Sequence, residues 1–308
     1  MRKNIYIAML AFSVLACGCT KTGTEDQKKL VPVNITLSTS GATRSETALF
    51  PEVENWIWDF YYVQFDARGT TVRAGHLRTA TTTGELSVSD QVYLYADNGT
   101  TVLIIANIRP NGTDYINPQW GTDDNLHIGN ANSLPTMQTV LLNISDRVEM
   151  ARLNQLQHMP MCGYWKGNIE IKGYNTIHVA LGRMMTRMNV NVKNNTSSTI
   201  NGVTLDNVAT RAYIYPQAHN KPLPTGVQPG EENAYTSFTD VINIPAGESR
   251  MLYFYTAPNY CETDAKATSI TFTSGSRNWT KKLGDNPGEN DYNLYMNTIY
   301  TFNLELTQ

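Results

Sequence analysis

Residues 31–38 read Val31-Pro32-Val33-Asn34-Ile35-Thr36-Leu37-Ser38. Apolar side chains fall on every odd position and polar or turn-forming ones on every even position. A strand alternates its side chains between two faces, so this stretch predicts a strand with one face buried. Strand signals dominate the rest of the chain as well. Trp56 to Phe65 is rich in aromatic and β-branched residues and runs into Asp66-Ala67-Arg68-Gly69, a predicted hairpin turn before Thr70 to Leu77. Val102-Leu103-Ile104-Ile105-Ala106 is continuously apolar and predicts a strand buried on both faces, with Asp97-Asn98-Gly99 as the turn before it.

Further strands are predicted at 92–95, 176–192, 212–215, 241–244, 251–255, 270–272 and 298–306. In the last of these Tyr300, Phe302, Leu304 and Leu306 alternate with Thr301, Asn303, Glu305 and Thr307. Only Gln138 to Gln157 invites a helix, and its apolar spacing is irregular. Many short strands separated by turn material predict an all-β fold of two tandem antiparallel β-sandwich domains. The pattern resets near Gly167 to Asn175. The expected division is therefore an N-terminal sandwich over 45–170 and a C-terminal one over 171–308, with no exact sequence repeat between them.

The N-terminal end carries its own instructions. Arg2 and Lys3 precede an apolar run, Ile5 to Ala16, that is too short to span a bilayer and reads as an export signal over residues 1–18. Cys19 follows Gly18 and Cys17 follows Ala16. A cysteine behind small residues at the end of such a run is expected to be lipidated, with Cys19 ahead of Cys17. Acyl chains at about 0.8 kcal/mol per buried methylene would hold such a chain on a membrane. Residues 20–30 are polar and read as a tether, so residues 19–44 comprise tether and first strand.

Composition excludes several classes. The formal charge of −3 falls to −5 once Arg2 and Lys3 leave with the signal, and no basic stripe exists for nucleic acid. Apart from Cys17 and Cys19 the cysteines are Cys162 and Cys261; they could bridge the two halves, but two buried thiols is the favoured reading. The five histidines are scattered, and neither a phosphate loop nor a nucleophile elbow is present, so no catalytic residue, metal or cofactor is expected. Asp285 to Asp291 and Asp123-Asp124 are oxygen-rich but lack calcium-loop spacing and read as solvated turns. Trp120, Trp165 and Trp279 are candidates for stacking on sugars, against a more ordinary packing role.

Five features, in order, give the chain its likeness to a family. They are the lipoprotein signal with its alternating strand and Thr43-Arg44-Ser45, the aromatic strand ending in Phe65-Asp66-Ala67-Arg68-Gly69, and Met159-Pro160-Met161-Cys162-Gly163. Val179-Ala180-Leu181-Gly182-Arg183 and Asn297-Thr298-Ile299-Tyr300 complete the series. Together they resemble the fimbrillins, lipoprotein-derived pilins of Gram-negative gut and oral anaerobes, although Met296 stands where that family usually carries arginine.

The resemblance implies transthyretin-like sandwiches and a surface fimbrial subunit at the outer membrane. It also implies a trypsin-like surface protease cutting between Arg44 and Ser45. The strand bearing Val31, Val33, Ile35 and Leu37 would then leave, and a strand from another fimbrial subunit would replace it. The strand of Tyr300, Phe302, Leu304 and Leu306, if it closes the second sandwich, leaves no donor and suggests a tip or minor subunit. The adhesive target would be a host or bacterial surface glycan or protein. The alternative is a non-polymerising, glycan-binding surface lipoprotein.

Overall fold

The computed structural model describes residues 29–39, 53–78, 85–108, 133–144, 149–150, 159–217, 223–224, 227, 234–261 and 263–308. The expectations at Cys17, Cys19, Arg44, Ser45, Trp120 and Asp123-Asp124 lie outside these residues.

The chain is all-β. Its strands are β1 (Leu30–Thr39), β2 (Asp59–Phe65), β3 (Thr71–Arg78), β4 (Ser87–Tyr95), β5 (Asp97–Ala106), β6 (Leu141–Asn143), β7 (Glu149–Met150), β8 (Met161–Ile169) and β9 (Asn175–Arg183). Then come β10 (Thr186–Asn194), β11 (Ile200–Ala209), β12 (Arg211–Tyr213), β13 (Tyr235–Ile244), β14 (Ser249–Thr256), β15 (Ser269–Ser274), β16 (Arg277–Lys282) and β17 (Ile299–Leu306). The single α-helix among the described residues, α1, is Leu134–Gln138.

In the first half, a sheet ordered β3-β2-β5-β8 meets a second ordered β9-β1-β4. They join at one corner, where β8 and β9 pair only through Met161–Arg183 and Cys162–Gly182. Away from that corner the two layers face each other over a shared core. Val33, Ile35 and Leu37 of β1 and Ile177 and Val179 of β9 pack with Phe60, Val102 and Ile104 from the opposite layer. The second half repeats the plan, with β13-β11-β15-β16 against β17-β10-β14.

In each half the first strand lies between an antiparallel and a parallel neighbour: β1 between β4 and β9, β10 between β14 and β17. The sheets are thus antiparallel except at these two pairings. Because the last strand runs parallel to the first, each sandwich ends beside the C-terminal end of its first strand, Leu181 opposite Thr39 and Leu306 opposite Asn194. The repeat of topology has no counterpart in the sequence, because register and layer assignment depend on contacts rather than on residue identity.

Two expectations change. Residues 176–192 are not one strand: the chain changes sandwich at Met184-Met185. β9 is hydrogen-bonded to β1 of the first sandwich, so the stretch at 167–175 is the end of β8, the turn at 170–174 and the start of β9, all inside that sandwich. The boundary placed at 170/171 therefore does not coincide with the change of strand partners. Where the sequence invites a helix over 138–157, the described residues 139–144 and 149–150 form none. α1 ends at Gln138, capped at its start by Ser133 Oγ and opened by Pro135, and β6 and β7 come after it.

Those two short strands cross to the second half, β6 pairing with β12 and β7 with β14. They help close a third apolar cluster. Tyr61, Val63, Leu103 and Ile105 on the outer face of the first sandwich meet Ala212, Ile214, Tyr255 and Met296 of the second half. This is why β2 is buried on both faces along its whole length.

Candidate functional site

β1 is the element around which the candidate site is built. It is the central strand of its layer, antiparallel to β4 from Leu30–Tyr95 to Ser38–Ser87 and parallel to β9 from Val33–Asn175 to Thr39–Leu181. Its inward side chains, Val31, Val33, Ile35 and Leu37, are essentially inaccessible to solvent. Burying four such side chains contributes on the order of 10 kcal/mol before ordering costs. The outward face is polar: Thr36 Oγ1 meets Ser89 Oγ at 3.2 Å and Gln91 Nε2 donates to Asn34 Oδ1 at 3.4 Å.

Ala96 N donates to Lys29 O and Thr39 N to Leu86 O. With alternating bonds in an antiparallel ladder, the odd-numbered residues are therefore the ones bonded to β4. Pro32, with no N–H to donate, directs its nitrogen towards the β9 side, before β9 begins at Asn175. That is a position where a central strand tolerates proline.

If β1 were absent, the strands on either side would be left with unpaired edges facing each other across a slot floored by apolar side chains. Such an edge accepts a strand from elsewhere. The link from β1 to the rest of the sandwich is residues 40–52, outside the described residues. Both of its ends are held at the same end of the slot: Thr39 pairs with Leu181, and Glu54 contacts Arg183 two residues further on.

Three of the sequence motifs, at 159–163, 179–183 and 297–300, meet where the two sandwiches join. Asn107, in a left-handed conformation at φ 60°, donates from Nδ2 to Trp56 O at 2.7 Å and Met159 O at 2.9 Å. Met184 N donates to Pro160 O, Arg183 N to Asn297 Oδ1 at 3.0 Å, and Asn297 N to Met185 O. Gly163 lies so close to β9 that a Cβ there would stand 2.4 Å from Ala180 O. Met296 packs into the junction cluster. These motifs thus build the junction and the corner that closes the slot.

At the junction sits a buried charge cluster. Glu54, in the 3-10 turn Val53–Asn55, receives Arg183 Nη1 at 2.6 Å and Arg187 Nη1 at 2.7 Å, and Tyr255 donates its hydroxyl to the same carboxylate. Arg187 also donates Nε to Asn189 Oδ1 at 2.9 Å. Burial, then the Glu54 charge, push the Tyr255 hydroxyl far above its ordinary range. Arg187 of β10 and Tyr255 of β14 tie Glu54 to the second sandwich, while Arg183 binds the same carboxylate to β9 of the first. Glu54 and Asn107 drew no notice in the sequence. An Asn directly after the apolar run 102–106 is a faint signal of a left-handed turn.

Other candidates resolve into packing. Trp165 is half-buried against the first core, and Trp279 packs on the second while donating Nε1 to Thr307 O at 2.7 Å. In the 285–291 loop, Asp291 Oδ1 accepts from Asn293 N and Nδ2, and Asn290 takes a left-handed φ of 62°. Among the described residues no three His, Cys, Asp or Glu side chains converge as a metal site.

Cys162 and Cys261 are both buried thiols, not joined in a disulfide, and Cys261 Sγ donates to Tyr292 O at 3.3 Å. Tyr300, Phe302, Leu304 and Leu306 lie on β17, which is bonded in parallel to β10; Tyr300 and Leu306 are buried in the second core, and Phe302 and Leu304 pack on it. No helix among the described residues is long and apolar enough to cross a membrane.

No family model and no curated protein matches the chain. Solved structures do. A protein of Parabacteroides distasonis, provisionally assigned to cell adhesion, superposes with a TM-score of 0.58 at 16% identity over 89% of this chain and 88% of its own. A fimbrial assembly protein of the same species gives 0.56 at 14% identity, over 91% and 92%. The tip fimbrial protein Mfa3 of Porphyromonas gingivalis, truncated at its C terminus, gives 0.56 at 12% identity, over 90% and 96%. At such identities the likeness is one of fold, and it extends over about nine-tenths of the chain.

Proposed function

We propose that this chain is a structural and adhesive subunit of a surface fimbrium. In this reading it is exported as a lipoprotein through Cys19, or Cys17, and held at the outer membrane. A trypsin-like surface protease then cuts between Arg44 and Ser45, β1 leaves, and a strand of a neighbouring fimbrial subunit takes its place.

The observation that carries the proposal is the position of β1. It is bonded on both sides, supplies four core side chains, and continues into residues 40–52, whose two ends lie at the same end of the slot. A strand so placed leaves a ready acceptor when removed, and the shared fold with fimbrial proteins supports the same reading. β17 is bonded to β10 within the second sandwich and so is not itself a strand offered to a neighbour, which accords with a tip or minor position.

The test is Arg44→Ala in the producing cell, with the N-terminus of the surface protein sequenced and surface fibres imaged by electron microscopy. The proposal expects Ser45 as the first residue of the native chain and loss of the variant from fibres. Normal incorporation of the variant, or a mature chain that keeps residues 31–37 in place, would sink it.

A further inference from the structure

The two ends of β1 are not equivalent. Residues 33–38 are bonded on both sides, and at the C-terminal end Thr39 still reaches Leu86 while pairing with Leu181. Beyond that end lie Arg183 and the buried Glu54 cluster, so the slot is closed there. At the N-terminal end, residues 30–32 pair among the described residues with β4 alone, because β9 starts only opposite Val33. On the β9 side of this stretch lies the β8–β9 turn, closed by Asn175, whose Nδ2 donates to Glu170 O while its Oδ1 accepts from Glu170 N.

This open end is also where apolar side chains face water. Leu30, Tyr93, Ile171 and Tyr174 are exposed, Tyr174 completely. Tyr93 stands opposite Pro32 on β4, and Tyr174 immediately precedes the residue that pairs with Val33. The rims of the half-open slot therefore carry an aromatic ring on each side. At the closed end, the large apolar side chain left exposed among the described residues is Leu86.

The geometry points to this end as the landing surface for the replacing strand. The incoming segment of a neighbouring subunit first rests its leading apolar residues against Tyr93, Ile171 and Tyr174, pairs with the free side of the slot beside residues 30–32, and then displaces β1 towards Thr39. The occupant is an extended segment with apolar side chains at alternate positions, because it takes over the inward places of Val31, Val33, Ile35 and Leu37, while Tyr93 lies on the outer face at the mouth of the slot. A lipid surface would need no such alignment. The inference rests on the strand-replacement reading and adds its direction and point of entry.

The experiment uses the full chain cut once at Arg44, and as probe a fluorescent synthetic peptide of residues 29–39, whose entry is followed by anisotropy. Ile171→Ser with Tyr174→Ser is compared with Leu86→Ser; all three side chains are exposed, and urea unfolding of each uncut chain checks that the fold is kept. The expected result is entry slowed about tenfold in the double variant, with final occupancy within about twofold of the parent and Leu86→Ser unaffected, as for a contact made before the docked state forms.

Equal entry rates in all chains would overturn the landing surface while leaving strand replacement standing. So would unchanged rates accompanied by loss of binding to phosphatidylethanolamine vesicles, which would make the patch a membrane contact. No peptide entry into any cut chain would overturn strand replacement itself, and this inference with it.

Discussion

Ile35 of β1 stands opposite Ile177 of β9 in a parallel ladder, and both side chains are sealed in the first core. The strand proposed to leave is therefore among the most deeply packed in the molecule. Cutting the chain between β1 and the rest of the sandwich does not by itself release it: the ladders and the four apolar side chains hold it until something takes its place.

Replacing Ile35 by Ala removes core volume at a site walled by strands on both sides. The uncut chain is expected to lose about 2–5 kcal/mol in urea unfolding. Thr36→Ala, on the polar outward face, is expected to change stability by no more than about 0.5 kcal/mol. Equal losses in the two variants would mean that the outward face is covered too.

Glu54→Gln leaves Arg183 and Arg187 buried without a balancing charge. Breaking a buried pair by removing one partner costs about 3–5 kcal/mol. Because the cluster spans both sandwiches, the loss is expected with early exposure of the junction, read as faster hydrogen exchange at the backbone amides of Arg183, Met184 and Asn297. A variant with parent stability would show the carboxylate to be dispensable.

Alkaline pH is expected to weaken the fold. Burial, then Glu54, keep Tyr255 protonated in the native state well past the ordinary tyrosine value of 10.0, at which the unfolded chain ionises. Above that pH the unfolded state binds fewer protons than the native one, so stability falls as pH rises, by about 1.4 kcal/mol per pH unit for one such group. Tyr215, pushed up to about 12 by burial and then by Tyr164, acts in the same direction. Denaturant titrations between pH 8 and pH 11 should show the decline, and Tyr255→Phe should make it shallower.

Both thiols should resist iodoacetamide in the native chain and react once it is unfolded. Cys162 is enclosed in the junction cluster, and burial raises its thiol far above the ordinary range, so the reactive thiolate is scarce. Mass spectrometry after labelling at pH 8 checks this; rapid native alkylation of Cys162 would mean that the junction opens.

Gly163→Ala places a methyl group against Ala180 O at the only corner where β8 and β9 pair. Forcing those strands apart is expected to cost about 1–3 kcal/mol, visible as a lowered unfolding midpoint. Parent-like stability would show that the corner has slack.

The alternation at Val31–Leu37 and at Tyr300–Leu306, the aromatic strand 59–65 and the doubly buried 102–106 were all readable from residue order. Each is a local pattern whose period matches the pleat, and no partner need be known to see it. The Asp66–Gly69 turn was readable for the same reason: Asp66 Oδ1 accepts from Arg68 N and Thr70 N at 2.9 Å, and Gly69 takes a φ of +80°.

What residue order left open was partnership. That Thr176 to Val192 divides between two sandwiches, that 141–143 and 149–150 pair as strands with the second half, and that Glu54 meets two arginines more than a hundred residues away all depend on contacts between distant segments. The same holds for the unequal ends of β1. A sequence can state that a strand has one buried face, but only the folded chain decides which strands flank it, and where one of them begins a few residues late.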